Sequence, residues 1–183
     1  MAAEDHKSEF DAFVKRQQEG ARQPVDWDHE RDEWLRHLNE LYKIVEEFLT
    51  DYTIDGSIQL SYAEIGLNEE QIGSYAAPQM TLKIGQQEIV LKPVGTLLIG
   101  AKGRVDVVGP AGRTRFVLVN RDASRPNIKA TEITNGDGNA PLTKDASRQI
   151  IWTWKIATTP PRIEYFELTR ETLYRALMEV VNG

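Results

Sequence analysis

Three side chains at intervals of four, His29, Glu33 and His37, share one face of any helix that contains them. Imidazole and carboxylate groups in that pattern can hold a divalent metal. The compact His-Glu-x-x-His arrangement of metallohydrolases is absent, however, and Asp28, Arg31, Asp32 and Arg36 crowd around the trio. The expected reading is a solvated charged face, and no metal is assigned. The run from Asn135 to Asn139 (Asn-Gly-Asp-Gly-Asn) begins like an oxygen-rich calcium loop. It then fails, with Ala140 where the sharp turn needs glycine and Ala146 where a bidentate carboxylate is needed. Residues 95–103 and 109–112 are rich in glycine but lack the G-x-x-x-x-G-K-[ST] spacing of a phosphate cradle, so they read as turns between strands. Asp106, between Arg104 and Val108 on what reads as an exposed strand face, fits a cross-strand ion pair better than the acidic cluster of a nuclease. No serine sits in a G-x-S-x-G elbow. The absence of cysteine excludes thiolate catalysis, disulfides and Cys-ligated zinc. No catalytic residue or cofactor is assigned, and an enzyme of unknown class ranks third among the readings.

One set of like charges does concentrate. Lys92, Lys102, Arg104, Arg113, Arg115, Arg121, Arg125 and Lys129 are offset within residues 92–129 by Asp106 and Asp122 alone. Glycine turns that gathered Lys102, Arg104, Arg113, Arg115, Arg121 and Arg125 at one end of a sheet would make a rim for anions or nucleic acid. The chain as a whole carries a net charge of -6, and no aromatic residue is interleaved for base stacking. Nucleic-acid binding therefore stands as the alternative function.

The elements that must position these groups follow from hydrophobic period. A first helix and linker occupy residues 1–24, with Phe10, Phe13 and Val14 at helical spacing and Pro24 closing the linker. A long helix is predicted over residues 27–52, with Asp26 as its N-cap and carboxylates in its early turns. Trp34, Leu38, Leu41, Val45, Phe48 and Tyr52 recur at steps of four and three, the period of a helix seam. That seam either covers the protein's own sheet or forms a contact with a partner. Trp34, Leu38, Leu41 and Val45 are the candidate protein interface, including that of a homodimer.

The period then changes to two. Residues 57–167 read as an antiparallel meander of about seven strands, with a hairpin whose turn starts at Gly85 and with Ile150, Trp152, Trp154 and Ile156 on one face. Residues 64–78, holding Gly66, Gly73 and Pro78, read as irregular, and residues 121–148 as a long polar loop. A closing helix over residues 169–182 starts at a Thr169 cap. The fold class is α+β: two N-terminal helices, one long, then an antiparallel meander, then a C-terminal helix, with residues 25–183 as a single domain.

Residues 1–70 carry 7 Lys and Arg against 18 Asp and Glu, whereas residues 71–183 carry 15 against 10. Surfaces of opposite sign suit separate partners. The N-terminal residues lack the apolar core of a secretory signal and no apolar run reaches the roughly 20 residues of a membrane span, so a cytoplasmic protein away from membranes is expected. Together these features point to a non-enzymatic protein–protein interaction protein, such as an adaptor, inhibitor or assembly subunit.

Overall fold

The computed structural model describes residues 25–96, 101–126 and 150–183, with Lys7 and Phe10 besides. The first helix expected over residues 4–20, and most of the loop with its Asn135–Asn139 run, lie outside the described residues.

Helix α1 (Trp27–Phe48) begins as its sequence requires. Asp26 has extended backbone, and its Oδ1 accepts from the His29 N–H at 3.0 Å. The helix ends earlier than the period suggests. Thr50 turns its hydroxyl back to the carbonyls of Glu46 and Glu47, at 3.0 and 2.9 Å, and competes with the backbone for them. The chain bends at Leu49 and resumes as the short helix α2 (Thr50–Ile54). Leu49 drops into the core, while Tyr52, expected on the seam, swings out to pack edge-on against Tyr174 at 5.8 Å.

Seven strands follow in sequence order: β1 (Ile58–Glu69), β2 (Gly73–Ile84), β3 (Gln87–Gly95), β4 (Gly103–Val108), β5 (Arg113–Asn120), β6 (Trp152–Ala157) and β7 (Tyr165–Glu167). Each pairs antiparallel with the next, so the sheet is a meander without crossovers. Helix α3 (Arg170–Asn182) closes the described chain, with Thr169 and Thr172 forming a reciprocal cap. The α+β meander expected from the sequence is the observed architecture.

One expectation is corrected. Residues 64–78 are not irregular but form the outer half of a hairpin of twelve residue pairs, from Ile58↔Ile84 to Glu69↔Gly73. Pro78 is tolerated because β2 pairs with β3 only over residues 80–84, so beyond Met80 that side of β2 has no ladder to interrupt. A two-stranded ribbon twists more than a wide sheet. Its core-facing residues accordingly change parity, from Met80 and Leu82 to Ala77 and Tyr75.

Both long helices lie on one face of the sheet. Trp34, Leu38, Leu41 and Val45 of α1 and Leu173, Leu177 and Val180 of α3 enclose a core with Met80, Leu91, Val107, Phe116 and Trp154. The Trp154 indole N–H donates to the His37 carbonyl at 2.9 Å, tying the sheet to α1. Gly103 is obligatory at this contact, since a Cβ there would stand 2.2 Å from the Trp34 ring. The other face carries Lys92, Arg104, Asp106, Arg115 and Lys155, and only Val117, Val119 and Ala157 form a small buried cluster on it.

Candidate functional site

The residues expected to form a protein interface have no free surface. Trp34, Leu38, Leu41 and Val45 are each 0% exposed. The seam is fully used in covering the protein's own sheet, which corrects the expectation of an intermolecular contact there. A partner would have to lift α1 off the core to reach it.

The six basic residues do not form one rim. Strand register separates them: Arg113 pairs with Val108 at one end of the sheet, while Gly103 pairs with Leu118 near the other. At about 3.4 Å per residue, β5 alone puts roughly 24 Å between Arg113 and Asn120, beside which Arg121 turns. Three of the six, Lys102, Arg104 and Arg125, are also partnered. Arg104 grips Asp106 through Nε and Nη2, at 2.6 and 2.8 Å. Lys102 bonds Glu33, approaches Glu30 at 3.6 Å, and lies 5.4 Å from the centre of the Trp152 ring. Arg125 stands 3.9 Å from Glu164. Arg113 and Arg115 form no ion pair among the described residues.

The His29–Glu33–His37 trio also dissolves. His29 is exposed and acts through its backbone in the helix cap. His37 is 7% exposed rather than solvated, and its Nδ1 meets Glu40 Oε2 at 2.9 Å. Glu33 turns to Lys102, and that hydrogen bond holds its carboxyl below the ordinary value. Among the described residues no group of three His, Cys, Asp or Glu is disposed to hold a metal.

Two buried polar knots escaped sequence reasoning. Glu69, at the end of β1, accepts from the Tyr75 hydroxyl and from both the backbone N–H and the hydroxyl of Thr96, each at 2.8 Å in the latter pair. Gly95, at φ +134°, lies against this carboxylate, and a Cβ there would come within 2.7 Å of it. The knot pins the hairpin tip to the end of β3. Burial first, and the Glu69 bond second, push the Tyr75 phenol well above its ordinary value, so it remains a neutral donor. Lys155, on the second face, sends Nζ to the carbonyls of Arg121 and Ala123, at 2.6 and 3.1 Å, and to Glu167 at 2.7 Å. All three ammonium donors are satisfied. No short-range signal marks either knot, because their partners are distant in sequence.

What remains open is a matter of edges. Strand β1 is one edge of the sheet among the described residues, and its outer side runs unpaired for twelve residues. Strand β7, the other edge, has three. Beside β1, the last turns of α1 and helix α2 leave a groove of about 680 Å³ lined by Lys43, Glu46, Glu47, Thr53, Ile58 and Leu60. Tyr62 reaches across it, its hydroxyl donating to Glu46 at 2.5 Å. Beside β7, a cavity of about 250 Å³ opens between the strand ends and α3. No described helix is long and apolar enough to cross a membrane. No protein-family model matches the chain, and no similar protein is found among the curated proteins or the solved structures.

Proposed function

We propose that this protein is a non-enzymatic binding module that takes an extended, Lys- or Arg-bearing segment of a partner protein as an added strand along β1. The observation that carries the proposal is the edge of β1, which has no strand beside it among the described residues. Natural sheets blunt their edges with short strands, lysines, prolines or bulges, because unpaired N–H and C=O groups recruit other chains. The three-residue β7 follows that rule. The twelve-residue β1 has no Lys, Arg or Pro, its ladder to β2 runs without a register shift, and Ser61, Tyr62, Ala63 and Glu64 at its centre are exposed. In strand addition, main-chain bonds supply affinity and flanking side chains supply choice.

The flank is acidic. Glu46 and Glu47 line the groove with Lys43, Asp51 and Asp55 follow along the chain with Arg170 3.9 Å from Asp51, and Glu64 adds a carboxylate at mid-strand. Charge complementarity thus favours a basic segment. It disfavours a second copy of this chain, since antiparallel β1 pairing would set Asp51 and Asp55 of one copy near the exposed Glu70 of the other. The nucleic-acid alternative has lost the single rim on which it depended. A cysteine-free chain of this kind suits a reducing compartment such as the cytoplasm.

The test is selection of peptides from a random library on the full chain, followed by amide hydrogen exchange. Selected peptides are expected to be β-prone and basic, and to slow exchange along β1. Alternate residues of β1 turn their N–H and C=O outward, so of two separate variants, Ala63→Pro and Glu64→Pro, one removes an outward donor and the other a bond to β2. The variant that keeps its melting temperature should lose binding. Binders that protect some other surface, or that tolerate both prolines, overturn the proposal. So does a sedimentation profile showing that β1 is already covered by a second copy.

A further inference from the structure

The cavity at the opposite edge is a separate site. Helix α3 packs chiefly over β3, β4 and β5, and beside Ile156 on β6 and Phe166 on β7 it leaves the cavity rather than a close contact. Phe166 is left 49% exposed although its cross-strand partner Ile156 packs against the core. These two side chains, with Ala176 from α3, give the cavity an apolar floor. Its walls are polar. Arg113 at the start of β5 and Arg175 on α3 line it, together with Thr114 and Thr159.

The two arginines define the ligand. Three basic side chains that lean over the sheet are neutralised, Lys102 by Glu33, Arg104 by Asp106 and Lys155 by Glu167, while Lys92 and Arg115 on the second face form no ion pair among the described residues and line no part of this cavity. The side chains of Arg113 and Arg175 form no ion pair or hydrogen bond among the described residues, although both residues line the same small cavity. Glu179 also lines it, one turn beyond Arg175 and equally unpaired. Two guanidinium groups and one carboxylate leave a single net positive charge. A monoanion neutralises that balance, whereas a phosphate dianion leaves an excess negative charge beside Glu179.

From this charge balance and the apolar floor we infer that the cavity binds a small amphipathic carboxylate, its acid group between Arg113 and Arg175 and its apolar body on Ile156 and Phe166. Guanidinium and carboxylate are matched donors and acceptors, able to form paired charge-assisted bonds. Size agrees as well. An apolar cavity of about 150 Å³ accommodates benzene, so about 250 Å³ holds an aromatic ring or a short alkyl chain with its acid group.

The probe is 3-phenylpropionate, titrated into the full chain and followed by two-dimensional NMR, with neutral 3-phenylpropionamide and dianionic phenyl phosphate as controls. The carboxylate is expected to shift the amides of residues 113–114, 156–159, 166 and 172–179. The amide should bind about tenfold or more weakly, the cost of exchanging a charge-assisted bond for a neutral one. Phenyl phosphate should also be weaker, and should gain on the carboxylate when Glu179 is changed to Gln. Arg113→Gln and Arg175→Gln should each weaken 3-phenylpropionate about tenfold. Both positions are exposed, so melting temperature should hold and a loss of fold would not be the cause. Equal binding of the amide, shifts that cluster elsewhere, indifference to both arginine variants, or no saturable shift up to the solubility limit would each overturn the assignment.

Discussion

Strand β5 shows two different solutions to burial on its two sides. Phe116 and Leu118 face the helices and are fully buried in the main core. Val117 and Val119, one residue along in each case, face the side without helices and are buried by neighbouring loops, with Ala123, Ile163 and Tyr165 around them. The first face is dry and nearly all carbon. The second mixes small aliphatic groups with charges that must find partners: Arg104 with Asp106, Lys155 with Glu167 and two carbonyls. Cohesion is thus lodged on one face, and the other face is held by polar pairing among loops.

Adjacent residues on β5 put this to the strongest test. Phe116→Ala should cost about 3–5 kcal/mol, the range for truncating a buried aromatic whose cavity cannot collapse. Val117→Ala removes about two methyl groups' worth of burial, roughly 1.5 kcal/mol. Urea denaturation of the pair measures the gap, and equal losses would dissolve the distinction between the faces.

Next in size is the close approach at Gly103. A Cβ there overlaps Trp34 Cζ3 at 2.2 Å and Cε3 at 2.5 Å, both atoms of a ring fixed between α1 and the Trp154 ring 6.0 Å away. Gly103→Ala should cost about 1–3 kcal/mol as an overpacking change. Combining it with Trp34→Leu should be strongly non-additive, because the clash disappears with the ring. Additive losses would mean that the contact is looser than the geometry states.

The helix-covered face was largely legible in the sequence, and the other face was not. Trp34, Leu38, Leu41 and Val45 repeat at the helical period, Trp154 alternates with polar neighbours, and Asp26 and Thr169 are cap residues in cap positions. Each signal is local, so it survives the absence of tertiary information. The β1–β2 hairpin was hidden because Gly66, Gly73 and Pro78 are breakers by composition. Whether Pro78 breaks a strand depends on whether β3 lies beside it, and that is a tertiary fact. The bend at Leu49 likewise hangs on one hydroxyl, that of Thr50, choosing a carbonyl. The basic residues misled for a related reason: they are close in sequence, but antiparallel register sends Arg113 and Arg121 to opposite ends of β5. Lys155 and Glu69 gave no signal at all, since a buried charge is recognised only by partners that the fold brings to it. The cavity beside β7 was equally invisible, because Arg113 and Arg175 are brought together only by the placement of α3.

Lys155 is a buried charge of the second face. It is 5% exposed, and its ammonium holds the turn at residues 121–123 against β6. Lys155→Met keeps the apolar stem but leaves the Arg121 and Ala123 carbonyls without their donor. A cost of about 1–2 kcal/mol is expected, the penalty for unsatisfied buried acceptors. Amides of residues 121–126 should exchange faster while those of Phe116 and Leu118 are unchanged. Equal acceleration on both faces would show that the two are one cooperative unit.

The smallest effect lies where a helix meets the end of the sheet, and it is read by pH. The Lys102 ammonium bonds the Glu33 carboxyl and holds its pKa below the ordinary 4.5, with His37 and Arg36 nearby adding to the same direction and partial burial opposing it. The folded protein therefore binds this proton more weakly than the unfolded chain does. Stability from the contact is complete above the ordinary value and is lost as pH falls through the lowered one. Glu33→Gln should thus be less stable than the parent near neutral pH, and the difference should close as pH drops below 4.5. The pair is partly open to solvent, Lys102 being 16% and Glu33 23% exposed at the side chain, so the effect should be modest and should shrink further with added salt. Lys102→Met gives the matching measurement from the other partner, since it removes the donor and should return the Glu33 titration towards its ordinary value. A gap between Glu33→Gln and the parent that stays constant from neutral to acid pH would mean that Glu33 contributes packing rather than charge, and that the Lys102 ammonium is held by Glu30 and the Trp152 ring instead.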